Sequence, residues 1–149
     1  MVLRAPALAA AVALLSLAGC VGPARTLDAY EADVVATVEE VASAASTALL
    51  AVDASQAGRM TANYLTVVLA EAEGAGSSAQ SQLESVQPPG KAADDLLASI
   101  SPALDETTSV LADLRVAVRR SQLALLPHIA APLDRLISRL ERFATEHER

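Results

Sequence analysis

Beyond residue 26 the apolar positions recur at intervals of three and four, or of seven, along the whole chain. That is the repeat of a helix with one buried side. Leu27, Val34, Val41 and Ala48 recur every seven residues, with Val38, Ala45 and Val52 between them. Thr26 is a suitable N-cap, and Asp28 and Glu31 suit the positive end of a helix, so a first helix is predicted over 27–54. Ser55-Gln56-Ala57-Gly58 ends it, glycine being the residue that most readily takes the left-handed helix-ending conformation. A second stripe, Leu65, Val68, Ala72, Ala75, Ala79, Leu83 and Val86, predicts a helix over 59–86. Its phase survives Gly74 and Gly76, although each glycine costs about 1 kcal/mol in a helix, so a looped middle at 74–78 competes with it. Pro88-Pro89-Gly90 forbids continuation.

The third stripe is Leu97, Ile100, Leu104, Thr107, Leu111, Leu114 and Val118, and it passes straight through Pro102. A single kinked helix over 91–120 fits it best, the alternative being a split with Ser101 as N-cap and Pro102 in the first turn. The fourth is Leu126, Ile129, Leu133, Leu136, Leu140 and Phe143, predicting a helix over 122–146 with Pro127 and Pro132 disturbing its first half. At 1.5 Å per residue the four segments are each about 37–45 Å long. Matched lengths and short connections predict an all-α, antiparallel up-down-up-down four-helix bundle over 27–149.

Composition agrees with this reading. Of 149 residues, 33 are alanine and 22 leucine, against only three aromatic side chains, Tyr30, Tyr64 and Phe143. Alanine at inward positions lets helices approach closely. Apolar residues make up 52% of the chain, too many for a disordered one, and the length suits one domain rather than two. The net charge of −7 argues against a nucleic-acid partner, which would need phosphate-neutralising cations.

The first twenty residues have a different organisation. Arg4 is followed by a run from Ala5 to Leu17 in which only Pro6 and Ser16 fall outside the apolar set. Such a run is short for a bilayer core, which takes about 20 helical residues, and reads as an export signal over 1–19. The run ends in Leu17-Ala18-Gly19-Cys20, and Cys20 is the only cysteine in the chain. This tetrapeptide resembles the lipobox of bacterial lipoproteins. The resemblance implies a diacylglycerol on the Cys20 thiol, removal of 1–19, and Cys20 as the first residue of a mature chain held extracytoplasmically on a membrane. Val21 rather than Asp after the cysteine implies the outer membrane of a two-membrane cell, or the outer face of the plasma membrane where there is one. The resemblance covers the signal and nothing downstream. Residues 20–26 are read as lipidated cysteine and tether. The mature region is similar only in composition, with arginine far above lysine and abundant alanine, to alanine-rich helical lipoproteins of high-GC bacteria without assigned activity.

Catalytic and cofactor motifs fail on context. Gly74-Ala75-Gly76-Ser77-Ser78-Ala79 matches the dinucleotide fingerprint, with Asp94 and Asp95 about 20 residues on. That chemistry needs a preceding strand to aim backbone N–H groups at a pyrophosphate, and Tyr64 to Ala72 have helical periodicity. No cofactor is expected. No Glu precedes His128 or His147 by three residues, as bundle di-iron sites require, and no metal site is expected. His128 reads as an exposed helix-start residue and His147 as part of a fraying terminus. There is no Gly-x-Ser-x-Gly, Lys91 has no serine three positions earlier, and Cys20 is committed to acylation, so no enzyme is expected. Ser43, Ser46 and Thr47 read as small packing residues. The adjacent pairs Glu39-Glu40 and Asp94-Asp95 read as solvated faces.

Charge is unevenly distributed. Residues 26–100 carry eleven acidic groups against Arg59 and Lys91, whereas 101–149 carry seven of each sign. Arg115 and Arg119 share one helix side, as do Arg135, Arg139 and Arg142. They either border the acidic helices within the bundle or form a docking surface for anionic headgroups or an acidic partner. The leading expectation is a lipid-anchored envelope protein acting as an interaction or accessory module, with a membrane and an envelope protein as partners. The alternative is an extracytoplasmic carrier of an apolar or amphiphilic small molecule, to which Tyr30 or Tyr64 would offer a polar contact unless both cap the ends of a closed core.

Overall fold

The first helix, α1, spans Leu27–Gln56, and its start and stop are built from the residues that punctuate it in the sequence. The Thr26 hydroxyl accepts from the Ala29 amide at 3.2 Å, satisfying one of the amides a helix leaves without a partner. At the other end Gly58 takes φ 67°. The Gly58 amide donates to the Ser55 carbonyl and the Arg59 amide to the Ala54 carbonyl, the paired bonds of a Schellman stop. The structure, a computed structural model, describes residues 26–148. Cys20 and the segments 1–19 and 20–25 lie outside the described residues.

Helix α2 spans Ala62–Glu84 behind the cap Thr61, whose side chain accepts from the Tyr64 amide. It runs unbroken through Gly74 and Gly76, which excludes the looped middle and with it the glycine turn of a dinucleotide site. The two glycines differ. Gly76 is buried, and a Cβ there would stand 3.2 Å from the Leu111 side chain, so its bareness lets α2 approach the third helix. Gly74 faces open space. Gly74→Ala is therefore expected to stabilise the fold by about 1 kcal/mol, the helix-propensity difference unopposed by any clash, and urea unfolding followed by circular dichroism measures it.

Helix α3 spans Lys91–Arg119 with Pro102 inside it, so the single-helix reading holds and the split does not. Pro102 is exposed, where the Ala98 carbonyl that loses its amide donor can reach water. The helix ends in a second Schellman stop, with Ser121 at φ 57° and the Gln122 amide donating to the Ala117 carbonyl at 2.9 Å. The predicted fourth helix over 122–146 needs correction. A 3-10 turn, Leu123–Leu125, leads into a short helix α4, Leu126–Ala130. The chain breaks at Ala131-Pro132 before α5, Leu133–His147. Pro132 lacks the amide that would continue the hydrogen-bond ladder, and α4 is only one turn long, so the two pieces separate where α3 had enough flanking turns to absorb its proline. No strand occurs among the described residues.

The four long helices pack together, with α1 against α2, α3 and α5, and α3 against α2 and α5. Their buried sides form two clusters. One joins Tyr30, Val34, Val38 and Val41 to Leu83, Ile100, Leu104, Leu140 and Phe143. The other joins Ala45, Ala48 and Val52 to Leu65, Leu69, Leu111, Leu114, Leu126, Leu133 and Leu136. Thr37 and Thr107, the buried polar residues among those described, donate to the carbonyls of Asp33 and Ala103 one turn earlier, which removes the cost of an unpaired hydroxyl. The stripe read for α2 needs adjustment: Leu69 and Gly76 take inward places, while Val68 is half-buried and Ala75 exposed. Leu27, read as the first member of the α1 stripe, is exposed.

Candidate functional site

Tyr30 is the largest polar side chain in the core, and burial is complete: it is 0% exposed and its hydroxyl has no hydrogen-bond partner among the described residues. Burial raises its pKa above the ordinary phenol value, and the negative charge of Asp94 raises it further. Ionisation is thus harder in the folded chain than in the unfolded one. The folded state keeps its full stability below the ordinary value of about 10 and loses it as pH climbs past that value, where the unfolded chain sheds the proton first. Tyr30→Phe is expected to abolish that alkaline loss and to gain about 1 kcal/mol near neutrality, since it removes an unsatisfied buried group without removing the ring. Thermal melts of both proteins from neutral pH to beyond the phenol range measure both effects. Tyr64 does not share this environment. It is 60% exposed on α2, so the pairing of the two tyrosines as caps at the ends of a closed core is not what the fold contains.

The concavities lie between helices and open to solvent. One of about 740 Å³ runs between the start of α1 and the end of α5 under Asp28, Glu31, Glu39 and Glu148. A neighbouring groove of about 490 Å³ continues between the same helices past Ser43, Ser46 and Glu141. A more apolar groove of about 320 Å³ lies between α1 and α2, lined by Ala44, Val68 and Ala72 among others. A groove of about 290 Å³ between α3 and α5 is lined by Ser99, Arg139, Arg142, Glu146 and His147, but there the Ser99 hydroxyl donates to the Leu96 carbonyl and His147 Nδ1 lies on the Phe143 carbonyl. Ser46, Thr47 and Thr66 donate to carbonyls four residues back rather than to a reactive neighbour. No group of three or more His, Cys, Asp or Glu side chains suited to a metal ion occurs among the described residues. His128 is exposed on α4. His147 is held more firmly than a fraying terminus implies, stacked on Phe143 with ring centres 4.2 Å apart and its Nδ1 2.8 Å from the Phe143 carbonyl.

The five arginines singled out by spacing do not form one surface. Arg115 is half-buried toward α2, its Nε 3.2 Å from Glu73, with the N–H not directed at the carboxylate. Arg135, on α5, pairs with Glu106 at 2.8 Å, and Arg139 donates to the Ser99 carbonyl at 3.3 Å, so both lie along α3 on its other flank. Arg119 and Arg142 are exposed, the first in the last turn of α3 and the second near the end of α5. Helix-side spacing groups the arginines by helix but carries no information on which neighbour each helix faces.

A different cationic grouping emerges from the topology. The α1–α2 connection and the α3–α4 connection meet at one end of the bundle, where Gln56 Nε2 donates to the Leu123 carbonyl at 3.4 Å and Met60 and Leu123 pack against the same core cluster. That end carries Arg59, Arg119 and Arg120, all exposed and none in an ion pair among the described residues. Leu125, 49% exposed, lies in the second connection, and Leu50 and Tyr64, exposed by 69% and 60%, stand on α1 and α2, the helices that the first connection joins. The other end holds Asp28 in the first turn of α1, Asp94 in that of α3, and Glu146 and Glu148 at the close of α5. Lys91 at that end is paired with Asp95 at 2.7 Å. Sequence periodicity misses Arg59 and Arg120 because they stand in connections, outside any stripe; their only signal is adjacency to helix stops at Gly58 and Ser121.

Helix α1 contains an 18-residue window of mean hydropathy 1.4, long and apolar enough to cross a membrane by length and composition, and 56% of that window is buried inside the bundle. No family model matches the chain, and neither does a curated protein or a solved structure.

Proposed function

We propose that this chain is a lipid-anchored helical bundle on the extracytoplasmic face of a bacterial membrane, acting as a binding or accessory module for another envelope component, with Cys20 as the anchoring residue and no catalytic centre. The observation that carries the reading is the spacing of seven residues between Cys20 and the first helical residue, Leu27. Residues 21–25 reach about 17 Å at most, so acyl chains on Cys20 would hold the bundle against the lipid. The carrier reading is the weaker one. The apolar groove between α1 and α2 is shallow and open, whereas pockets for small apolar ligands enclose most of their guest.

The antiparallel up-down-up-down order belongs to this proposal. It is supported by the sequence in which each helix enters the two core clusters. Along α1 and α3 the Tyr30–Leu104 cluster comes first, and along α2 and α5 it comes last. Four neighbours alternating in this way bring α1 and α3 up against α2 and α5 down.

Mass spectrometry of the protein from bacterial membranes tests the anchor. The reading expects a chain beginning at Cys20 with acyl mass on it. A mature chain with an unmodified thiol would overturn it.

A further inference from the structure

We propose that the bundle end bearing Arg59, Arg119 and Arg120 is a second membrane contact, which docks on an anionic lipid surface and lays the bundle down on the bilayer. This rests on the proposed Cys20 anchor, which precedes in sequence the start of α1 at the opposite end.

Charge complementarity selects the occupant. Three exposed guanidinium groups, none in an ion pair among the described residues, stand at the α1–α2 and α3–α4 connections, with Leu125 exposed in the second, Leu50 and Tyr64 exposed on the helices that the first joins, and Asp53 and Asp113 the nearest acids along α1 and α3. Cations at phosphate level with apolar side chains just beneath is the composition of a surface seated at the headgroup boundary. The opposite end, with Asp28, Asp94 and Glu148, has no such charge match and would be held near the lipid by the tether alone. Size argues against a protein partner. Four helices of about 10–12 Å diameter present an end face of roughly 400 Å², about half of what a stable protein interface buries per partner. A lipid surface needs no such area, because each arginine contributes separately.

The anchor sets the posture. Helix α1 has 30 residues, or about 45 Å at 1.5 Å per residue. A bundle standing on the tether keeps its cationic end that far from the bilayer. With about 17 Å of tether, it is able to lie on its side with both ends near the headgroups. An anionic membrane therefore favours the lying posture and a zwitterionic one does not.

The test uses the full acylated chain, purified from membranes and placed in phosphatidylcholine vesicles with or without phosphatidylglycerol. Ala124→Cys in the exposed 3-10 turn takes a fluorophore, and energy transfer to headgroup-labelled lipid reports how close this end comes. Transfer is expected to rise with phosphatidylglycerol, to fall back at high salt as screening shortens below about 10 Å, and to drop with each of R59Q, R119Q and R120Q. Each substitution should lower the lying-to-standing ratio about fivefold. R142Q, an exposed arginine at the acidic end, should leave it unchanged. Equal transfer in both lipids, or a triple-glutamine protein indistinguishable from the parent, would overturn the proposal. Failure of the anchor gives a separate result: the chain then does not float with phosphatidylcholine vesicles. In that case flotation with phosphatidylglycerol vesicles that the triple substitution abolishes supports the cationic end, and its absence overturns that as well.

Discussion

Cys20→Ser is expected to eliminate acyl labelling of this protein altogether, the largest effect that any single substitution should have on where it resides. The reason is quantitative. Burial of an acyl chain contributes about 0.8 kcal/mol per CH₂, one chain binds marginally, and two or more hold a protein on a bilayer. Serine keeps the size of the side chain while lacking the nucleophilic thiol, so the variant separates loss of the anchor from loss of the fold. On the proposed reading the substituted chain should also keep residues 1–19. Replacing that segment with an ordinary secretory leader, with Ser at position 20, should release a folded bundle into the extracytoplasmic fluid. Labelled fatty acid, intact mass and fractionation of the two proteins decide the matter. A Cys20→Ser chain that still incorporates label would remove the anchor from consideration.

Leu104→Ala should have the largest effect on stability, a loss of about 2–5 kcal/mol. Leu104 is 1% exposed in the middle of α3, in the cluster with Val38, Ile100 and Leu140. Its cost exceeds the transfer energy of the deleted carbons, because the surroundings have little with which to close the gap. Phe143 and Tyr30 are the aromatic rings in that cluster, and many of its other members are alanine and valine, whose side chains are short and stiff. With a total stability of about 5–15 kcal/mol usual for a domain, this one change removes a large share. Leu125→Ala makes the contrast. It deletes the same atoms from a side chain 49% exposed and should stay within about 0.5 kcal/mol of the parent. Urea melts that find the two variants equally destabilised would contradict the assignment of Leu104 to the core.

Sequence periodicity recovered most of the fold because it records a local geometry. In α3 six of the seven positions read from spacing, Ile100 through Val118, are buried, and the seventh, Leu97, is half-buried. The alternation of three and four is set by the helix itself, so Pro102 did not disturb it. The same rule slipped in α2, where it chose Val68 and Ala75 over Leu69 and Gly76. A glycine has no apolar side chain to enter a pattern, and what makes Gly76 an inward residue is Leu111 on a neighbouring helix. It slipped again after Leu126, where periodicity continued across Pro132 and the backbone did not.

The ends of helices divide in the same way. Thr26, Gly58 and Thr61 announce their roles by residue type, whereas Ser121 adopts the left-handed stop without the glycine that would have signalled it. Which charges meet was beyond reach of spacing altogether. Arg115 faces Glu73 and Arg135 faces Glu106 through contacts between helices, and Arg59 joins Arg119 and Arg120 across some sixty residues of chain. By itself, then, the amino-acid order determined most of the helices and their inward sides and raised the expectation of an export signal that closes at Cys20, since each depends on neighbours within a few residues. Only the tertiary structure decided which helices adjoin, which arginines are neutralised and which end of the bundle is cationic, because those depend on how sides of separate helices are matched, and a local repeat contains no term for that.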